Sequence, residues 1–235
     1  MSRLKEYAKA VIPGAFRKSL KAYFRRQYRN YIFWRSWRKY LKDPYASATR
    51  TEDIAELLYG WGNEKWSPSV EYIMDCLQHA RQTEGPILEC GSGLCTLLLG
   101  IVAQCSGNVV WTLEHNRLWG DNVKNNLAKY SIKSVRLCVN ALRDYDDFCW
   151  YAPPLNQVPD NFSLVVCDGP PGETRGGRYG LLPIMRNKLT SGCVILLDDA
   201  GRPKERETVG RWAKEAGTDY EIKGSEKPYA KLVMP

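Results

Sequence analysis

The stretch ILECGSGLCT, Ile87 to Thr96, decides the fold. An apolar strand-like run carries one acid, Glu89, and ends at two glycines, Gly91 and Gly93; a second apolar run follows. Glycines at such a corner permit a tight turn and close approach of a ligand to the backbone. A helix starting after them offers unpaired N–H groups to polar or anionic atoms. Glu89 is a departure from a phosphate-binding corner, because a carboxylate is awkward beside a pyrophosphate and suits a cationic ligand. The third glycine of the dinucleotide fingerprint is replaced by Thr96. Taken alone, the corner reads equally as a nucleotide-like site and as a tight turn.

Outward from this corner, strands and helices alternate. Strands are predicted at 86–90, 109–114, 135–139, 162–168 and 192–198, and helices at 95–104, 117–129, 178–189 and 203–216. Nearly continuous apolar strands in such an alternation predict a parallel sheet covered on both faces. The end, YEIKGSEKPYAKLVM, holds two short strand candidates around a turn and predicts an antiparallel hairpin. Before the corner, Ser67 and Pro68 have the chemistry of a helix start. Glu114 closes VVWTLEHN, 21 residues beyond Gly93. An acid at the end of a second strand is placed to bind both hydroxyls of a ribose.

The chain has 235 residues, 44% of them hydrophobic, which suffices for one large domain with an appendage. Its net charge of +8 is unevenly spread. Residues 1–43 hold 13 Lys/Arg against Glu6 and Asp43, whereas the remainder is slightly acidic. From Phe16 to Leu41, aromatic and apolar residues recur at steps of three and four, with Lys and Arg filling much of the rest. Pro13–Gly14 is the expected break before this helix. Residues 1–60 are therefore expected to form a basic aromatic helical arm on a domain at 61–235. No run of apolar residues is long enough to span a membrane, and the N-terminus lacks a signal-peptide layout. The eight cysteines show no CxxC pairing and read as reduced, buried thiols. The expected location is cytoplasmic, peripheral to the inner face of a membrane through the arm. An anionic membrane surface at residues 16–42 is the favoured partner; nucleic acid and homodimer packing are the alternatives.

The motifs together resemble those of class I S-adenosylmethionine-dependent methyltransferases. LECGSGLCT resembles the family's first motif and LEHN its second. CVNAL at 138–142 resembles the third, LVVCDGPPG at 164–172 the fourth, and TSGCVILLDDAGR at 190–202 the strand that follows. The resemblance covers about residues 64–235. It implies a Rossmann-like, doubly wound α/β fold with a seven-stranded sheet, mostly parallel with an antiparallel last strand. It also implies S-adenosylmethionine as cofactor, held by Glu89, Gly91, Gly93, Thr96, Glu114, His115, Asn140, Ala141 and Asp168. Acids at the ends of the fourth and fifth strands, Asp168, Asp198 and Asp199, resemble the Mg2+ site of catechol-type O-methyltransferases. That makes Asp168 and Asp199 the candidate catalytic residues. The lysine base of the catechol enzymes is replaced by Pro171, so a base must come from elsewhere. The expected activity is O-methylation of a small-molecule, glycan or lipid-linked acceptor. An RNA methyltransferase and a non-catalytic binding protein with the same fold are the rivals. In DGPPGETRGGRYG, 168–180, the prolines suggest a fixed start and the glycines a mobile cover over the acceptor. Arg175, Arg178 and Arg202 are candidate anion ligands, and His79 an ordinary helix residue.

Overall fold

The computed structural model describes residues 14–235; the side chains of residues 14–17 and of residue 64 lie outside the description, as do Pro13 and the start of the arm. The helices are α1 (Gly14–Lys42), α2 (Pro44–Ala48), α3 (Thr51–Trp61), α4 (Val70–Gln82), α5 (Leu94–Ser106), α6 (Arg117–Lys129), α7 (Leu181–Met185) and α8 (Pro203–Ala216). The strands are β1 (Ile87–Cys90), β2 (Val110–Glu114), β3 (Val135–Val139), β4 (Arg143–Asp144), β5 (Cys149–Trp150), β6 (Phe162–Cys167), β7 (Leu189–Leu197), β8 (Tyr220–Lys223) and β9 (Tyr229–Val233).

Seven strands form one sheet in the order β3-β2-β1-β6-β7-β9-β8. β1 pairs in parallel with both β2 and β6, so the strand order reverses beside it. All four β1 residues are buried, as a central strand covered on both faces requires. The antiparallel strand is β9, which inserts between β7 and the edge strand β8. Doubly wound sheets bind ligands beyond the carboxyl ends of their strands at such a reversal, which here is the end of β1.

The elements differ from expectation in three places. α4 begins at Val70, capped by the Ser69 hydroxyl accepting Tyr72 N–H at 3.1 Å, whereas Ser67 donates to the Asn63 carbonyl. The helix predicted over 178–189 shortens to α7 and a 3-10 turn at Arg186–Lys188, because the chain around Arg178 turns to bury its guanidinium. The hairpin of β4 and β5 was not anticipated, since two-residue strands carry no readable period.

The arm divides along its length. Phe33, Trp37 and Tyr40 of α1 share one buried cluster with Ile54 and Leu57 of α3 and with Leu97 and Leu98 of α5. Trp37 lies 4.7 Å from the Tyr130 ring, and the Tyr40 hydroxyl donates to the Leu98 carbonyl at 3.1 Å. Ser36 donates to Glu56 at 2.6 Å, and Lys39 pairs with Asp53 at 2.5 Å. From Ile32 onward the helix is thus part of the domain core. The predicted apolar stripe of α1 is not the packed face: of its members only Trp37 is buried, whereas Leu20, Phe24, Tyr28, Tyr31, Trp34 and Leu41 are exposed. The Phe16 side chain lies outside the described residues.

Trp37→Ala should cost about 3–5 kcal/mol of unfolding free energy, the usual price of emptying a buried aromatic site. Urea denaturation followed by circular dichroism measures it, and a loss below about 1 kcal/mol would mean the arm is not core.

Candidate functional site

The carboxyl ends of β1, β2, β6 and β7 open into a cavity of about 1050 Å3. That volume is at the upper end of ligand-site sizes, enough for a nucleoside-sized ligand and a second reactant. Gly91 and Gly93 are on its wall. Gly91 has φ +92, a conformation that strains any side chain, and a Cβ there would also crowd Gly169 N at 3.2 Å. Its N–H is spent on the Leu113 carbonyl at 2.9 Å.

Two acids flank this corner in opposite electrostatic states. Glu89 lines the cavity and is only 1% exposed. Burial pushes its carboxyl up to about 8, against hydrogen bonds from Thr96 and from Thr112, whose hydroxyl donates at 2.8 Å. Glu114 is also buried, which raises its pKa. Hydrogen bonds from His115, Ser92 and Asn116 outweigh that and hold it below the ordinary carboxylate range. Its oxygens accept from the Ser92 N–H and hydroxyl at 3.1 and 2.6 Å and from the N–H groups of His115 and Asn116 at 2.8 and 2.7 Å. Glu114 therefore faces the cavity ionised and rigid, while Glu89 is poised to ionise when a cation arrives.

Not every residue expected at the cofactor site lines the cavity. His115 does, with Nδ1 3.3 Å from Glu114 Oε1. Thr96 does not: it is fully buried, and its hydroxyl accepts the Gly93 N–H at 2.9 Å as the cap of α5. Its place is behind the wall, supporting Glu89. Asn140 and Ala141 are exposed and off the cavity wall, with the Asn140 amide donating to the Ala152 carbonyl at 3.1 Å. The aromatic wall near Glu114 instead comes from residues the motifs did not single out. Trp119 donates its indole N–H to the Ser92 carbonyl at 2.7 Å and meets Trp61 edge-on at 6.2 Å. Asn116, capping α6, was the readable signal that Trp119 would start beside the corner. Tyr151, from the unpredicted hairpin, also lines the cavity, 2% exposed.

Asp168, Asp198 and Asp199 do converge, with one carboxylate oxygen of each lying within 4.8 Å of the others. The cations among them are side chains. Arg178 is 3% exposed; its Nη2 donates to Asp168 at 3.1 Å and to Asp199 at 2.9 Å, and its Nη1 to the Asp198 carbonyl at 2.5 Å. Lys227 Nζ reaches Asp198 at 2.8 Å and Asp199 at 3.0 Å, and Arg202 reaches Asp199 at 2.9 Å. Three carboxylates thus meet three cationic side chains. These cations take up much of the carboxylate set, although Asp198 Oδ1 is buried without a hydrogen-bond partner among the described residues, and the expected Mg2+ finds no support. The acids differ in turn. Burial and the Asp198 carboxylate push Asp168 well above its ordinary range despite Arg178 and Lys227. Burial also raises Asp199, but Arg178, Lys227 and Arg202 outweigh it and hold that acid low.

The 168–180 segment is fastened rather than free. Arg175 pairs with Asp144, and its carbonyl accepts Cys149 N–H at 2.8 Å. A Cβ at Gly176 would stand 2.4 Å from Phe148, and one at Gly180 2.5 Å from Trp150. These glycines allow the loop to lie against the β4–β5 hairpin. Arg178 and Arg202 reach the cavity; Arg175 does not. His79 is on α4 beside Asp75, away from the site.

No protein-family model matches the chain, and no curated protein matches it in sequence. Its shape does have counterparts. A candidate caffeoyl-CoA O-methyltransferase from Staphylococcus aureus superposes with a TM-score of 0.61 at 15% identity, over 84% of this chain and 98% of the other. An S-adenosylhomocysteine-bound methyltransferase from Podospora anserina gives 0.56 at 14% identity, over 96% and 98%. A tRNA (m1A58) methyltransferase from Aquifex aeolicus gives 0.52 at 15%, over 77% and 74%. The chain has the fold of the class I S-adenosylmethionine-dependent methyltransferases. Proteins with this fold act on acceptors as different as these names, so the fold does not choose one.

Arg178→Met should destabilise the protein by about 3–5 kcal/mol, because it leaves carboxylates buried without their main partner. Chemical denaturation measures it; a loss under about 1 kcal/mol would mean that the acids find other compensation.

Proposed function

We propose that this protein is an S-adenosylmethionine-dependent methyltransferase acting on oxygen, with a small-molecule, glycan or lipid-linked acceptor. The observation that carries the reading is the pairing at the corner. A glycine turn, with Gly91 at φ +92 and open space beside Gly93, lies between Glu89, whose pKa burial raises, and Glu114, an ionised acceptor of hydrogen bonds. An acceptor at Glu114 suits ribose hydroxyls, and the carboxyl of Glu89 suits a cationic ligand better than a pyrophosphate. Glu114 would hold the ribose hydroxyls, Glu89 would answer the positive charge, and Trp119 with Trp61 would wall the base. S-adenosylmethionine, when bound, supplies a methyl group already activated by its sulfonium.

The chain's own contribution is position, exclusion of water and a place for a proton. Asp168 is the residue we assign as proton acceptor for the attacking hydroxyl. Its side chain is 28% exposed, against 0% for Asp198 and 6% for Asp199, and its raised pKa makes it a stronger base than Asp199. Asp199 suits the role less well, since it is bound by three cations. We assign it, with Asp198, to holding Arg178 and Lys227 in place.

Calorimetry with S-adenosylhomocysteine tests the reading. The wild-type chain should bind it equally with Mg2+ or with EDTA. Glu114→Ala should weaken binding at least about tenfold through loss of charged hydrogen bonds, with circular dichroism confirming its fold. Absence of binding by the folded wild type would sink the methyltransferase assignment. A separate expectation concerns pH. Because Glu89 titrates near 8 in the free protein, it is largely protonated at neutrality, and a bound cation lowers its pKa. Affinity for S-adenosylmethionine should therefore rise toward pH 8 and then level off, with proton release at neutral pH. Glu89→Gln should abolish the release, which calorimetry in buffers of different ionisation enthalpy detects.

A further inference from the structure

Methyl transfer leaves the outer face of α1 unexplained. Residues 18–28 are all exposed, although they lie in one continuous helix with the packed segment from Ile32 onward. Leu20, Phe24, Tyr28, Tyr31 and Trp34 are 40–62% exposed and recur at steps of three and four, so they form one stripe. Tyr59 of α3, 39% exposed, extends it through an edge-on contact with Tyr28 at 6.3 Å. The opposite face, carrying Ile32, Phe33, Trp37 and Tyr40, is the one spent on the core. α1 is thus apolar on two sides along its second half, and only one side has a partner among the described residues. An unpacked run of this length is a marginal helix in water unless something covers its apolar side.

We propose that this outer face docks on an anionic lipid surface, with the helix lying in the plane of the interface. Charge favours this occupant. α1 holds ten Lys/Arg and no Asp or Glu. Lys21, Arg25 and Arg26 are exposed beside the stripe. A second copy docked on the same stripe would set cations against cations, with no acid on the helix to answer them. Anionic headgroups do answer them, and they also suit the side-chain chemistry. Tyr and Trp place an apolar body and a polar tip at headgroup depth, while Phe and Leu reach the acyl boundary. A nucleic acid would be held by the basic side chains, with little use for an apolar stripe at helical spacing. No helix among the described residues is long and apolar enough to cross a membrane, so the attachment is interfacial. This inference stands apart from the methyltransferase reading.

Sedimentation of the full chain with vesicles tests it, using phosphatidylcholine alone and phosphatidylcholine mixed with phosphatidylglycerol. The mixed vesicles should bind the protein and the neutral ones should bind it at least about tenfold less, with binding weakened by salt. The triple variant Phe24→Ser, Tyr31→Ser, Trp34→Ser should lose at least about tenfold in vesicle affinity. Lys21→Glu, Arg25→Glu, Arg26→Glu should lose as much. Both variants should keep wild-type unfolding midpoints, because every substituted side chain is exposed. Failure of the wild type to bind the mixed vesicles overturns the proposal. So does a dimer, seen by light scattering, that the serine variant dissolves while vesicle binding is absent. Oligonucleotide binding that the serine variant retains, with no vesicle binding by the wild type, overturns it in favour of nucleic acid.

Discussion

A guanidinium buried to 3% exposure needs carboxylate partners, and Arg178 finds them in Asp168 and Asp199. Arg178 brings together the end of β6, through Asp168, and the end of β7, through the Asp198 carbonyl and Asp199. It lies ten residues beyond Asp168 on a loop, so burying it draws that loop across the sheet edge. The loop can follow only because Gly176 and Gly180 let its backbone lie against Phe148 and Trp150. From this one arrangement follow the shape of the acceptor end, the shortening of the helix after it, and the contrast between a raised Asp168 and a lowered Asp199.

The other end of the cavity shows the same economy with two glutamates. Both are buried, yet one is driven toward neutrality and the other is held ionised. The difference is the number of donors. Glu114 has four backbone and hydroxyl donors within reach, three of them backbone N–H groups at the end of β2 and in the glycine turn. Glu89, mid-sheet, is met by side chains alone, the hydroxyls of Thr96 and Thr112 and the thiol of Cys95. Environments that push two like groups apart give a site one charged anchor and one responsive one.

What could be read from the chain itself followed from the range of the signal. The parallel strands and the terminal hairpin were legible because apolar runs and turn residues are local; so was the corner, because Gly91 and Glu114 end consecutive strands. The electrostatics of the acid cluster were not. Three aspartates at two strand ends read as metal ligands in sequence, and nothing local shows that Arg178 and Lys227, on two separate loops, reach their oxygens. Thr96 was placed at the cofactor by its position in a motif, whereas its side chain turns back to cap α5. The arm's period showed a helix face but not which face packs, since α1 carries apolar residues on two sides. Asn140 and Ala141 follow the end of β3 and lie exposed, off the cavity wall.

Trp61 closes α3 and belongs to two structures at once. Its ring lies 5.9 Å from Phe33, in the seat of α1, and 6.2 Å from Trp119, on the wall of the cavity. A single indole is therefore floor to one compartment and wall to another. Stripping the N-terminal helix from this protein would leave that indole with one flank against water, and the pocket would be recut along with the surface. The helix is not a detachable accessory: whatever the chain gains at its outer surface, it holds in place with the same side chain that shapes its interior.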